Sequence, residues 1–280
     1  MGRCYDNGDM ADKKIISLPE QQKILLEMLR FLDRICRKNK IKYSLINASL
    51  IGAIRHQGFV PWDDDIDVVL TKENYDKLKK ILDKETGRYQ TLKQGKGGER
   101  YGFLKLIDTH TQALEKNRPK FNPNYGIYID ITCYYPTSDG KKEQSKQFRK
   151  LKLLFSLYLR RKIFFKEEPL SKIILCLGKN ACSKILGYNR INRRYNKLLN
   201  KYSDGKKYVI SNWPVYGFEN EIQLAKNTEE YIDVKFEGVT VMVFKEYDEI
   251  LKTIYGDYMK MPPKNKRVPK HNITAWWRED

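Results

Sequence analysis

"HQGFVPWDDDIDVVL", residues 56–70, places Asp63, Asp64, Asp65 and Asp67 within five positions, between a tryptophan and an apolar run. Like charges this close repel, and one of a near pair would ordinarily keep its proton. Something positive must therefore face them: a neighbouring arginine or lysine, solvent, or a bound metal. Val68, Val69 and Leu70 bury the segment at once, so the acids stand at the mouth of a core strand. Alternate strand residues share a side, which sends Asp65 and Asp67 one way and Ile66 and Val68 into the core. Two carboxylates about 7 Å apart along a strand can converge on a hard cation through oxygen ligands, as Mg²⁺ prefers when it also holds phosphates.

A second stretch, "YGIYIDITCYY" (125–135), alternates in the same way. Ile127, Ile129 and Ile131 face one side, and Tyr128, Asp130 and Thr132 the other. Asp130 thus offers a third carboxylate from another strand, and three such groups can hold two metals about 4 Å apart for an in-line phosphoryl displacement. Upstream, Ser49 opens a helix that must return beside the aspartate strand, where backbone N–H groups and its hydroxyl can hold a phosphate. An isolated D-x-D is more often a solvated turn; the buried flank favours a metal site here.

The 280 residues suffice for one large domain or a core with an insertion, and 41% apolar content excludes wholesale disorder. The net charge of +19 predicts an anionic partner: nucleic acid, phospholipid or a phosphorylated substrate. Cys4, Cys36, Cys133, Cys176 and Cys182 are odd in number and contain no C-x-x-C; with three histidines they argue against a disulfide framework or structural zinc. A reducing, cytosolic setting is expected. The first residues carry no apolar signal core, and no apolar stretch is long enough to cross a bilayer.

"SLPEQQKILLEMLRFLDRICRKNK" (17–40) reads as a helix capped by Ser17 with Glu20 reaching back. Ile24, Leu25, Met28, Leu32, Ile35 and Cys36 give it one buried face, and Asn39 closes it. "IKYSLI" follows as a short strand and "NASLIGAIRHQG" as a brief helix ended by Gly58. Thr71 caps a third helix whose Tyr75, Leu78, Ile81 and Leu82 share a side. "RYQTL" and "YGFLKLID" read as strands joined by "KQGKGGER", a turn without P-loop spacing. Near the end, "YIDVKFEGVTVMVF" reads as a hairpin turning at Glu237-Gly238, with a helix from about Glu246 to Tyr255 that Pro262 and Pro263 stop.

Residues 141–210 differ in character, with 20 Lys/Arg against 4 Asp/Glu. "LKLLFSLYLRRKIFF" and "LSKIILCLGKNACSKILG" read as helices bordered by basic clusters. They form either a basic helical subdomain packed on the core or a surface for anionic lipid or a lipid-linked acceptor.

Residues 18–78 resemble the opening of the LicD family, which includes the fukutin-like transferases of the nucleotidyltransferase superfamily. The hallmark "LIGAIRHQGFVPWDDDIDV" is nearly unbroken, with Arg55, His56, Gly58, Pro61 and Trp62 in place. "LKLID", "YIDI", "FEG" and "YGDYMKMPP", followed by Arg267 and His271, extend the likeness over most of residues 18–271, weakest through the basic segment. The chain departs from the family at Ala48-Ser49, where Gly-Thr is usual: serine keeps a hydroxyl, but alanine limits close backbone approach to a phosphate.

The resemblance implies an α/β (α+β) fold, a small mixed sheet flanked by helices with a basic helical insertion. Residues 1–17 would be a tail, 18–140 the nucleotidyltransferase-like core, 141–210 the basic helical segment, and 211–280 a hairpin and helix completing the domain. It further implies Asp65, Asp67 and Asp130 as metal ligands, with two Mg²⁺ ions (Mn²⁺ as the substitute) and Asp130 as general base. The expected reaction transfers phosphocholine from CDP-choline to a sugar hydroxyl of a cell-surface glycan precursor, of teichoic acid or lipopolysaccharide type, releasing CMP. The alternatives are ribitol or glycerol phosphate transfer, or nucleotidyl transfer. Ser49, Arg55, His56 and Lys105 are candidate donor-phosphate partners, and Trp62 a candidate pocket wall. A choline group needs an aromatic cage; Tyr134 and Trp213 are nominated, ahead of Tyr135, Tyr216, Trp276 and Trp277. The expected partners are a CDP-alcohol, a lipid-linked glycan and an anionic membrane at the inner face of the plasma membrane. The remaining alternative is a nucleic-acid-binding protein in which the acids are incidental and the basic segment grips phosphates; it ranks last, and nucleic acid is not an expected partner, because the tyrosines show no stacking arrangement.

Overall fold

Ser17 caps the first helix, its Oγ accepting from the Glu20 N–H at 3.4 Å, but the Glu20 carboxylate reaches to Trp277 Nε1 at 3.1 Å and not back to the cap. The computed structural model describes residues 13–92, 102–115, 122–158, 169–271 and 273–279. The "KQGKGGER" turn, Cys4 and residues 159–168 of the basic segment lie outside the described residues.

In chain order the elements are α1 (Leu18–Lys38), β1 (Ser44–Leu45), α2 (Asn47–Ile51), β2 (Ile66–Thr71), α3 (Lys72–Leu82), β3 (Tyr89–Thr91) and β4 (Leu104–Asp108). There follow β5 (Thr111–Glu115), β6 (Tyr128–Thr137), α4 (Lys141–Tyr158), α5 (Leu170–Leu186), α6 (Tyr188–Leu199) and β7 (Tyr208–Ser211). The chain closes with α7 (Phe218–Glu221), β8 (Ile222–Leu224), β9 (Tyr231–Phe236), β10 (Val239–Phe244), α8 (Tyr247–Tyr255) and β11 (Ile273–Trp277).

A seven-stranded mixed sheet in the order β1-β2-β6-β4-β3, extended by β7 and β8 from β6, confirms the expected α/β class. Within it β2 and β6 run parallel and the other pairs antiparallel. Leu25, Met28, Leu29, Leu32 and Cys36 of α1 are fully buried, each large side chain contributing about 1.5–3 kcal/mol relative to exposure. α3 adds Tyr75, Leu78 and Leu82. Thr71 stands at the α3 cap position, yet its hydroxyl accepts from the Asn74 side chain at 3.0 Å.

Gly58 does not end the second helix. α2 runs on as a π-turn over Gly52–His56, and Gln57 takes the left-handed conformation at φ 55°. Gly58 is needed for space: a Cβ there would lie 2.1 Å from Glu237 Oε1. The β9–β10 hairpin turns where its sequence predicts, with Glu237 and Gly238 at φ 48° and 75°, the pair of left-handed residues that a two-residue turn requires.

Sequence periodicity did not reveal β5, β7, β8 or β11. These are short, and two pair across large sequence gaps: β11 lies antiparallel to β5, and β7 begins at Tyr208, inside the stretch read as helical, to pair with β6. Residues 15 and 16 are not a free tail, since Ile15 bridges Trp276 and Ile16 N–H donates to Ala275 O at 2.8 Å.

Candidate active site

The parallel pairing of β2 with β6 sets Asp67 directly opposite Asp130, and β4 places Lys105 opposite Asp130 on the other side. Asp65 lies one pleat before Asp67. Carboxylate oxygens of Asp65, Asp67 and Asp130 lie within 4.8 Å of one another, and all three residues are buried. Asp63 Oδ2, Asp65 Oδ2 and Asp67 Oδ1 are buried without a hydrogen-bond partner. An oxygen left so in a dry site is costly, and a hard cation relieves it. The all-oxygen donor set fits a divalent ion of that kind.

Burial pushes these acids up. The Asp67 carboxyl stands well above the usual range through burial first, then through the charges of Asp65 and Asp130. Asp63 is raised for the same reasons, burial first and then Asp65 and Asp64. Asp65 rises to about 6 through burial, with His271 pulling against it. Asp130 is raised by burial and opposed by Lys105, whose ammonium forms a buried ion pair with it and lies 3.5 Å from the Tyr128 ring centre. The cluster is electrostatically frustrated, which is what a cation site requires before its ion arrives.

The local sequence holds the acids in place from three directions. Ser49 Oγ accepts from the Asp67 N–H at 3.0 Å, so the serine hydroxyl is engaged in holding β2. Asn47, itself at φ 55°, donates to Asp67 Oδ2 at 3.1 Å. From α1, Gln21 and Gln22 donate to the backbone carbonyls of Asp64 and Asp63. His271 closes the acidic turn from the far end of the chain, its Nδ1 2.9 Å from Asp64 Oδ1 and 3.4 Å from Asp65 Oδ2. Burial alone would lower the His271 pKa, but Asp65, Asp64 and Asp130 hold it up to about 10. It therefore acts on the carboxylates as a cation.

The candidate phosphate partners separate. Lys105 joins the carboxylates, whereas Arg55 and His56 sit on the π-turn against the C-terminal segment. Arg55 donates to Tyr258 O at 2.7 Å and to His56 Nε2 at 3.0 Å. Burial and the Arg55 charge lower the His56 pKa. Arg267 lies near enough to lower Arg55, after burial, and stands 5.8 Å from the Trp62 ring.

Tyr134 and Trp213 line one narrow cavity with Thr132, Tyr216, Glu221 and Asn47. Thr132 and Tyr134 follow Asp130 on the same face of β6, so the cavity continues from the carboxylates. Tyr216 O–H pairs with Tyr255 O–H at 2.6 Å. Glu221 accepts from the Tyr216 N–H, and burial raises its pKa to about 7. Trp276 is buried in packing, Trp277 donates to Glu20, and Tyr135 lies under Lys72; none of them lines this cavity.

Asn47, Gln21, Gln22 and Glu221 were not picked out from the sequence. Their roles depend on partners 20 to 43 residues away, or on the fold of the 212–217 loop, and no local spacing announces them. His271 was legible only as part of the family pattern.

Comparison with known proteins gives two kinds of match. The family model of the LicD/FKTN/FKRP nucleotidyltransferase domain matches residues 40–166. The chain is 31% identical to the lipopolysaccharide cholinephosphotransferase LicD of Haemophilus influenzae over 276 residues, 94% of this chain and 99% of the relative. Over 73 residues it is also 38% identical to an uncharacterized protein of Rickettsia prowazekii and 37% identical to one of Rickettsia typhi, covering 26% of this chain and 25% and 21% of theirs.

Proposed function

The chain belongs to the LicD family, and on that premise we propose that it transfers phosphocholine from CDP-choline to a sugar hydroxyl of a lipid-linked glycan precursor, releasing CMP. The supporting observation is the trio Asp65, Asp67 and Asp130, three buried carboxylates brought together by β2, the residue before it and β6, with Asp67 Oδ1 left without a hydrogen-bond partner, in a chain collinear with a cholinephosphotransferase.

A divalent cation, Mg²⁺ by its preference for oxygen ligands, would be held by Asp65, Asp67 and Asp130 and would screen the donor diphosphate while charge develops on departing CMP. Asp130 takes the proton of the acceptor hydroxyl as that oxygen attacks the phosphorus of the phosphocholine group. The bond from that phosphorus to the CMP oxygen breaks. Lys105 keeps Asp130 ionised and oriented for this step. His271, Gln21 and Gln22 hold the acidic turn against the repulsion of its own charges. Arg267, 5.8 Å from the Trp62 ring, and Arg55, close enough to sense its charge, are assigned to the nucleotide phosphate.

Choline is favoured over ribitol or glycerol by the cavity of Tyr134, Trp213 and Tyr216 with the Glu221 carboxylate, because aromatic faces and an acid suit a quaternary ammonium. The cavity has free space for about one water molecule. Entry of the head group therefore requires outward movement of the 212–217 loop, which carries Trp213 and Tyr216.

The test is incubation with Mg²⁺, a lipid-linked glycan fraction and CDP-choline, CDP-ribitol, CDP-glycerol or CTP. Acceptor-dependent CMP release from CDP-choline is expected, lost in Asp65→Asn and Asp67→Asn. Pyrophosphate release from CTP would identify nucleotidyl transfer instead, and turnover only of CDP-ribitol or CDP-glycerol would replace choline by that alcohol.

A further inference from the structure

α5 turns an apolar stripe outward. Leu170, Ile174, Leu177 and Ile185 recur at spacings of three, four and eight residues, with Ala181 filling the gap, and so share one side of the helix. Their exposures are 71%, 60%, 48% and 81%. Towards the protein, α5 buries Ile173 and Ser183. Leu153 of α4 adds another exposed apolar side chain at 57%. A helix whose only task was to complete the core would bury the larger of its two apolar faces, and α5 does the reverse.

Its length and composition do not suit it to crossing a bilayer: among the described residues no helix is long and apolar enough to span one. A helix with an exposed apolar stripe and cationic surroundings lies instead in the plane of an interface. Two occupants would cover such a face, a second copy of the chain or a lipid surface. Charge separates them. Residues 141–210 carry 20 Lys/Arg against 4 Asp/Glu, so two copies meeting here would oppose strongly cationic surfaces. Anionic head groups would instead neutralise exposed cations such as Lys150 on α4 and Lys184 on α5.

We propose that α5 is a membrane-docking helix that lies in the head-group layer of an anionic bilayer with the Leu170–Ile174–Leu177–Ile185 stripe turned into the acyl boundary. Docking of this kind holds the enzyme on the surface where a lipid-linked acceptor resides. It needs no turnover and stands independently of the choline reading.

The full chain is to be sedimented with vesicles of phosphatidylcholine alone or mixed with phosphatidylglycerol. Capture by the anionic vesicles only, weakened by added salt, is expected. Ile174→Ser with Leu177→Ser should lower the bound fraction about tenfold. Because both side chains are exposed, Tm and CMP release with a detergent-dispersed acceptor should stay unchanged. Leu170→Ser with Ile185→Ser, at the two ends of the stripe, serves as the second variant. The proposal is overturned by equal capture on neutral vesicles, by no capture on either, by binding indifferent to both double substitutions, or by a dimer that these substitutions dissociate. A wild-type chain that releases CMP but binds neither kind of vesicle rejects only this inference, and a wild-type chain that docks without releasing CMP rejects only the proposed reaction.

Discussion

Asp67 stands directly opposite Asp130 across the parallel β2–β6 pair, with both carboxylates buried. Without a cation this juxtaposition opposes folding, since burial raises both acids and the charges of Asp65 and Asp130 raise Asp67 further. Asp67→Asn should therefore stabilise the metal-free protein by about 1–3 kcal/mol at pH 8 while lowering CMP release at least about a hundredfold. Thermal melts with chelator and with Mg²⁺ check this. The wild type should gain Tm on adding Mg²⁺ and the variant should not. An equal Mg²⁺ response in both would remove the metal from the carboxylate trio.

The Lys105–Asp130 pair predicts a different signature. Both side chains are nearly inaccessible, so Lys105→Met leaves a buried carboxylate without its cation, at a cost of about 3–5 kcal/mol. Adding Asp130→Asn should restore most of that loss. A double-mutant cycle by urea unfolding measures the coupling, and strict additivity would show that the two charges do not sense each other.

Glu221 gives a pH dependence outside the carboxylate trio. Its pKa is raised by burial to about 7 from an ordinary 4.5, so the folded state binds the proton more tightly than the unfolded one. Stability should then fall as pH rises from about 4.5 to 7 and level off above, a loss on the order of 3 kcal/mol. Glu221→Gln should flatten that window and raise Tm at pH 8 relative to wild type. A wild-type stability curve flat across that range would contradict the buried-acid description.

Donor selectivity tests the aromatic cavity. Trp213→Ala should raise KM for CDP-choline about tenfold, the scale of a partly desolvated cation–π contact, and change that for CDP-glycerol less. Trp213→Phe should recover part of the difference. A uniform effect on both donors would mean that Trp213 serves packing alone, in line with its ring contact to Phe103 at 5.1 Å.

The π-turn offers a test of the fold itself. A Cβ on Gly52 would lie 2.4 Å from the Gly58 carbonyl oxygen, a backbone atom that cannot move aside cheaply. Gly52→Ala should cost about 2 kcal/mol or more and lower activity through displacement of the adjoining acidic turn. An unchanged denaturation midpoint would show that the turn yields.

Much of this was readable from local pattern. α1, α3, α8 and the β9–β10 hairpin follow from apolar spacing and from Glu237-Gly238, because a helix face or a two-residue turn is decided within a few residues. The alternation around Asp67 and Asp130 correctly put both acids on strands. The short strands were not readable: β5 and β11 owe their existence to each other, across more than 150 residues. Ser49 carries a contact the sequence did not show: its hydroxyl oxygen also accepts from the Asp67 N–H and so helps hold β2.

By itself the sequence determined the kind of chemistry, since four aspartates running into an apolar strand demand a positive counterpart whatever surrounds them. It also determined family membership, through a motif too long to arise by spacing alone. Only the tertiary structure decided which carboxylates share a site, that Lys105 answers Asp130, and that His271 returns from 207 positions away to hold Asp64. The physical reason is range. Periodicity and capping act over one or two turns of chain, whereas the pairing of buried charges is settled by which strands lie side by side after the core has closed.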